Sequence, residues 1–408
     1  MGHIGLDAID PRELGKRLQA ARKASGRTQQ DAAEELKVAR TTMTAIESGS
    51  RRLQVAELAR LALLYGRSVG ELLRPGVAAE GFLVQLRAAL DASVQEAPGE
   101  EVPLLEFQAH CEDYVALEQL CHAPLPSNYP PQYSLAYVPP KAAAEDVANA
   151  ERNRLGLGDG PLLNLREILE YDVGLRIFFL ALPSKISAMF AYTETLGGCI
   201  AVNRKHPADR RRISLCHEYG HFLTKRYQSE IAVAGAQYQR SPQHESFANA
   251  FANAFLMPAS GLSRRYNELH RIREGRVTLA DICTLAHLYF VSVEALMLRL
   301  EDLRFLSVGT WDRRRQQGFR VREAQALLQL PERPDDAEEV PARYRYLAAT
   351  AYSKGDLSEG QFAGYLHVDR LEARRIAEEL ASLGELTEEG MATSVSPELE
   401  GPRLGDGE

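Results

Sequence analysis

The chain has 408 residues, 45% of them apolar and 25% charged, which is the make-up of a soluble globular protein too long for one ordinary core. It holds no run of eighteen or more apolar residues, and "MGHIGLDAIDPREL" lacks a basic-then-apolar leader, so neither a membrane span nor secretion is expected. A net charge of −8 argues against indiscriminate nucleic-acid binding by the whole chain, and five scattered cysteines without a C-x-x-C suit reduced thiols in a cytoplasm.

The charge is unevenly spread. Residues 11–60 carry eleven Lys/Arg against six Asp/Glu, whereas residues 385–408 carry seven acidic residues against one Arg. The acidic end, residues 386–408, reads as a free tail. The basic end reads as five short helices in residues 11–73, with apolar faces at Leu14, Leu18 and Ala21, at Ala32, Ala33 and Leu36, at Met43 and Ile46, at Leu58 and Leu61, and at Val69 and Leu72. Thr28 and Asp31 form a capping-box pattern at the start of the second. The third sets Arg40, Thr41, Thr42 and Thr44 opposite Met43 and Ile46, with Arg51 and Arg52 just beyond it. Two helices joined by a tight turn, the second short and polar outside, suit the major groove of duplex DNA. Thr and Arg can reach base edges or phosphates, and the trailing arginines can neutralise backbone charge.

Thr28-Gln29…Ala33 and Ile46-Glu47-Ser48-Gly49-Ser50-Arg51 resemble the Xre-type helix-turn-helix family. The resemblance implies that Gln29 touches phosphate and that Arg40 to Thr44 face the groove of an operator, bound by a dimer. Two positions depart from the family: Lys37 stands where many members have Gly, and Ala39 stands where a capping Ser is usual. Ala cannot cap, at a cost of about 1 kcal/mol.

Residues 82–122 read as helical. His110-Cys111 and Cys121-His122 invite a metal reading, but adjacent side chains on a straight helix diverge by about 100°, so packing is the expectation. Prolines in "PLPSNYPPQY" and "YVPPK" mark a boundary. Beyond it come two helices, then three strands, "LRIFFLAL", "SAMFAYT" and "GGCIAVN", then two helices holding "ISLCHEYGHFL" and "HESFANAFANAFLMP". A small sheet with helices is an α+β domain.

His217, Glu218 and His221 spell H-E-x-x-H. On a helix the two histidines share a face and can present two imidazoles to one ion. Glu218, one position on, can serve a water there without being a ligand. A catalytic zinc needs a third protein ligand and an open position. Tyr227 stands where a metzincin would have its third His. Glu245, on the next helix, is the gluzincin-style candidate; Asn249 is i+4 from it and could brace a ligand, and His244 competes for the same role. Phe247, Phe251 and Phe255 form a stripe that must face a core. Cys216 points away from the two histidines.

Asn203, His217 to His221, Glu245 to Ala252 and Leu256-Met257-Pro258 together resemble the ImmA/IrrE-type metallopeptidases, many of which carry an N-terminal Xre-type domain. The resemblance implies one Zn²⁺ per chain on His217, His221 and Glu245, with Glu218 as general base. It also implies limited proteolysis of a helix-turn-helix repressor or a neighbour-encoded toxin or antitoxin, as a stress, phage or DNA-damage switch. The peptide is expected along a sheet edge, at "SAMFAYT" or "GGCIAVN". His206, Tyr227 and Tyr238 are candidates for an oxyanion donor.

The expected organisation is multidomain and mostly α. It comprises a helix-turn-helix domain (1–76), a helical linker (77–140), the α+β metallopeptidase domain (141–262), a helical support (263–330), a C-terminal helical partner or sensor region (331–385) and the tail (386–408). The rival reading is a non-proteolytic DNA-binding regulator or antitoxin that uses the peptidase fold to hold a partner.

Overall fold

The computed structural model describes residues 10–65, 101–228, 230–233, 242–331 and 338–379, together with Val69, Leu72, Phe82, Leu86 and Arg333. The expected fifth helix near residues 69–72, much of the linker, Tyr238 and the acidic tail lie outside the described residues. The chain is mostly α, with an all-α N-terminal module, a small mixed sheet and C-terminal helices. It divides into two compact units, one of residues 1–78, 116–122 and 342–408, the other of residues 79–115 and 123–341.

In the first unit four helices follow one another: α1 (Pro11–Ala24), α2 (Gln29–Leu36), α3 (Arg40–Glu47) and α4 (Val55–Leu64). Their apolar faces close on Leu18, Met43 and Leu61, all fully buried. Thr28 caps α2 through the reciprocal bonds expected with Asp31, and Ala39 leaves α3 without a side-chain cap. Lys37 ends α2 in the left-handed region at φ 59°, the conformation that glycine adopts more cheaply. A buried ion pair ties α1 to α3, with Arg22 Nε 2.6 Å from Glu47 Oε1. Glu118 and Arg343 pair at 3.1 Å where the C-terminal helices begin, and Tyr344 donates to the Tyr365 carbonyl.

The second unit takes up the first part of α5 (Glu101–Leu120) and continues with α6 (Pro140–Arg154). "NLREILEYDV", expected to be one helix, is a single turn at Leu165–Glu167 that widens into a π-helical turn at Ile168–Val173. Then come β1 (Arg176–Leu180), β2 (Ile186–Thr193), β3 (Gly197–Asn203), α7 (Ala208–Lys225), β4 (Glu230–Val233) and α8 (Pro242–Leu256). The three expected strands are present, and β4 is an addition. Sheet order is β1-β3-β2-β4, with β1 parallel to β3 and the other pairs antiparallel.

That order corrects one expectation. "SAMFAYT" and "GGCIAVN" are both interior strands, paired on each side, so neither offers a peptide an edge. Hairpin patterning shows that β2 pairs with β3, but it is silent on what lies beyond them. The outer side of β1 is already engaged, since Phe179 N–H donates to the Glu339 carbonyl at 2.9 Å and Arg166 holds the Glu338 and Glu339 carbonyls.

Helices α9 (Ala259–Ile272), α10 (Leu279–Leu288) and α11 (Val293–Asp302) close the unit. Leu262, Ile282, Leu296 and Leu300 join one continuous core with Phe190, Phe222, Phe251 and Phe255. No single helix among the described residues is long and apolar enough to cross a membrane.

Candidate metal centre and DNA-facing helices

Helix α7 buries Leu215, Cys216, Tyr219 and Phe222 on one side, which fixes the direction in which His217 and His221 point. Tyr219 anchors that side by donating to the buried carboxylate of Glu151. Helix α8 is positioned by its own stripe: Phe247, Phe251 and Phe255 stack at 5.8 and 5.4 Å and are fully buried. With the stripe facing the core, Glu245 and Asn249 turn towards α7. Gly220 lets the two helices approach, because a Cβ there would lie 3.2 Å from Ala248 Cα and from Phe251 Cδ1.

The result brings His217, His221 and Glu245 together, each offering one ligand atom within 4.8 Å of the others. The two Nε2 atoms stand 3.0 Å apart. Glu245 places Oε1 3.3 Å from His221 Nε2 and Oε2 3.6 Å from His217 Nε2. Tetrahedral ligands bound about 2.0–2.1 Å from a zinc ion lie roughly 3.3 Å from one another. The three spacings bracket that value, and two imidazoles with one carboxylate are a borderline donor set that suits zinc. His217 Nδ1 lies 3.2 Å from Asn249 Oδ1, so Nδ1 carries the proton and Nε2 keeps its lone pair for a metal. Glu218 is fully buried, and the site opens outward through Glu245, whose side chain is 22% exposed.

Of the adjacent pair His244 and Glu245, Glu245 is the one that converges on the histidines. His206 precedes α7, on the order of 15 Å from His217 at 1.5 Å per residue, which separates it from the ligand cluster. Tyr227 is 63% exposed and packs edge-on against Tyr192. Cys216 sits in the core, where burial pushes its thiol up to about 12. Asn203 donates to the carbonyls of Leu182, Pro183 and Ile186, which ties the end of β3 to the turn before β2. His110 bonds to the Glu106 carbonyl and the Glu339 carboxylate, and Cys121 to the Leu347 carbonyl, so both are absorbed in packing.

On the N-terminal module Arg40, Thr41, Thr44 and Arg52 are exposed along and beyond α3, and Thr42 is half-buried. Gln29 is braced: its amide donates to Glu47 Oε2 at 2.8 Å and accepts from the Thr44 hydroxyl at 3.4 Å. Arg51 pairs with Glu57 at 2.8 Å. Sequence patterning missed the role of Glu47, whose burial between Arg22 and Gln29 stiffens the frame of α1, α2 and α3. An acidic residue inside an otherwise basic module is the signal that could have shown it.

Two comparisons accord with this arrangement. Residues 171–301 match the IrrE N-terminal-like domain of the M78 peptidases. Residues 13–74 match a helix-turn-helix domain family. No curated protein and no solved structure matches the chain.

Proposed function

Because the chain joins an IrrE-like M78 peptidase domain to an N-terminal helix-turn-helix domain, we propose that it is a DNA-binding, zinc-dependent endopeptidase that regulates transcription by limited proteolysis. The convergence of His217, His221 and Glu245 beside the buried Glu218 carries this reading. His217, His221 and Glu245 hold one zinc per chain, and Asn249 orients the His217 ring. Zinc supplies Lewis acidity at the scissile carbonyl. Glu218 takes a proton from the attacking water and delivers it to the leaving amine. With β2 and β3 interior and β1 engaged by Glu339, the outer side of β4 is the strand edge left for an extended substrate.

Arg40, Thr41, Thr42 and Thr44 read an operator, and Arg51 and Arg52 contact its phosphates, with Gln29 supporting that face. A cytoplasmic homodimer on a two-fold site suits this arrangement. The substrate class is a helix-turn-helix repressor or a neighbour-encoded toxin or antitoxin.

The test is metal analysis followed by incubation of wild type and Glu218→Gln with the regulators encoded beside the gene. One zinc per chain in both proteins, with cleavage by wild type alone, is the expected result. Zinc without cleavage of any such protein, with or without DNA, would replace the peptidase with a non-proteolytic regulator that holds a partner.

A further inference from the structure

A half-open cavity of about 480 Å³ lies beside the ligand cluster, inside the second unit. Its walls include Ile213 on α7 and Asn253 on α8, each one helical turn from His217 and Asn249 respectively. Residues four apart share a helix face, so the cavity continues the surface that carries the ligands. Ile213, Ala295 and Leu298 give it an apolar lining. Its volume falls in the range of roughly 300–1,000 Å³ typical of ligand sites.

The charges around it are unbalanced. Asp209, Glu294 and Asp302 line the cavity together with Arg210 and Arg299. Arg299 is neutralised by Glu145 and committed to the Met257 carbonyl, and Arg210 donates to the Ser187 hydroxyl. Asp302 pairs with Lys141 at 3.0 Å, so an ammonium group already sits at this rim. Glu294 accepts from the indole N–H of Trp311 at 3.0 Å and retains its charge. A long aliphatic stem ending in a cation matches apolar walls under a carboxylate rim.

We propose that this cavity is a substrate subsite that receives a lysine or arginine side chain next to the scissile bond, with Asp209 and Glu294 as its recognition carboxylates. The identification as a substrate subsite rests on the peptidase reading, whereas the capture of a cationic side chain does not.

Trp311 is the sole tryptophan of the chain, so its indole N–H is a single resolved reporter on Glu294. N-acetyl-lysine methylamide and its norleucine counterpart are titrated into zinc-loaded Glu218→Gln protein while the indole signal is followed by NMR. The lysine probe should shift it saturably and the norleucine probe should not. Asp209→Asn with Glu294→Gln, which keeps an acceptor for Trp311, should weaken the lysine response about tenfold or more. Ala295→Phe, which fills the cavity and leaves both carboxylates in place, should abolish it. An indole signal indifferent to the lysine probe, or equal responses to both probes, overturns the proposal. In parallel, wild type digests a mixed peptide library. Cuts should cluster within two residues of Lys or Arg, and the Asp209/Glu294 variant should lose that preference while still cutting. Cleavage without a basic preference overturns the subsite. A lysine-specific shift without any cleavage supports cation capture and removes the peptidase reading.

Discussion

Asn249 Oδ1 stands 3.2 Å from His217 Nδ1, and this contact between neighbouring helices decides which nitrogen of the ring is left for a metal. By contrast, Nδ1 of His221 has no hydrogen-bond partner among the described residues. Asn249→Ala should therefore weaken zinc binding by about 10–100-fold without disturbing the core, since outer partners of ligating histidines typically contribute that much. Competition against a chromogenic chelator measures it. An unchanged affinity would show that the His217 ring is held by packing alone.

The Arg22–Glu47 pair makes a different prediction, about stability. Burial alone would raise the Glu47 carboxyl, but the hydrogen bonds from Arg22, Gln29 and Gln19, with the Arg22 charge, carry it below the usual range. A carboxyl lowered in the folded state adds stability above its unfolded value, near 4.3, and loses that contribution as pH falls through the folded one. The helix-turn-helix unit should thus loosen below about pH 4. Glu47→Ala should destabilise it by about 3 kcal/mol at neutral pH, because Arg22 is left buried without its partner. Hydrogen exchange of α1 and α3 in the full chain reads both effects; protection that ignores the substitution would remove Glu47 from the frame.

Cys216 neighbours a candidate ligand yet has its thiol raised by burial to about 12. It should resist alkylation in the native protein at pH 8, while the partly exposed Cys121 reacts first. Mass mapping after brief iodoacetamide treatment tests the order. Early labelling of Cys216 would mean that α7 opens in solution.

On α3, Arg40→Ala combined with Thr42→Ala should lower operator affinity at least about tenfold, the scale of losing base and phosphate contacts. Zinc content should stay the same, since these residues belong to a separate unit from the ligands. Gel shifts at fixed salt decide the matter, and undiminished binding would move the DNA surface elsewhere.

The chemistry-bearing residues were legible because each sits in a local pattern. His217 and His221 share a helix face by spacing, and the phenylalanine stripe of α8 fixed where Glu245 could not point. The strand segments of β1 to β3 were visible from alternation and the Gly197-Gly198 turn. What escaped was long-range. The four residues of β4 are too short to carry a period, and the sheet order that places β2 inside depends on them. Glu339 reaches β1 across more than 150 residues, and Leu296 shares a core with Phe251. The π-helical turn at Ile168–Val173 repeats no sequence signal that separates it from an ordinary helix.

Gly220 occupies one of the two unspecified positions of the H-E-x-x-H pattern, and it faces the backbone of Ala248. The gap between α7 and α8 therefore acts as a caliper. Two jaws, one carrying the imidazoles and the other the carboxylate, are set by the thickness of a single hydrogen atom on Gly220. Adding a methyl group there would widen the jaws by a few tenths of an ångström, comparable to the difference in radius between small and large divalent ions. The ion that this protein prefers is thus written partly in a residue that never touches it.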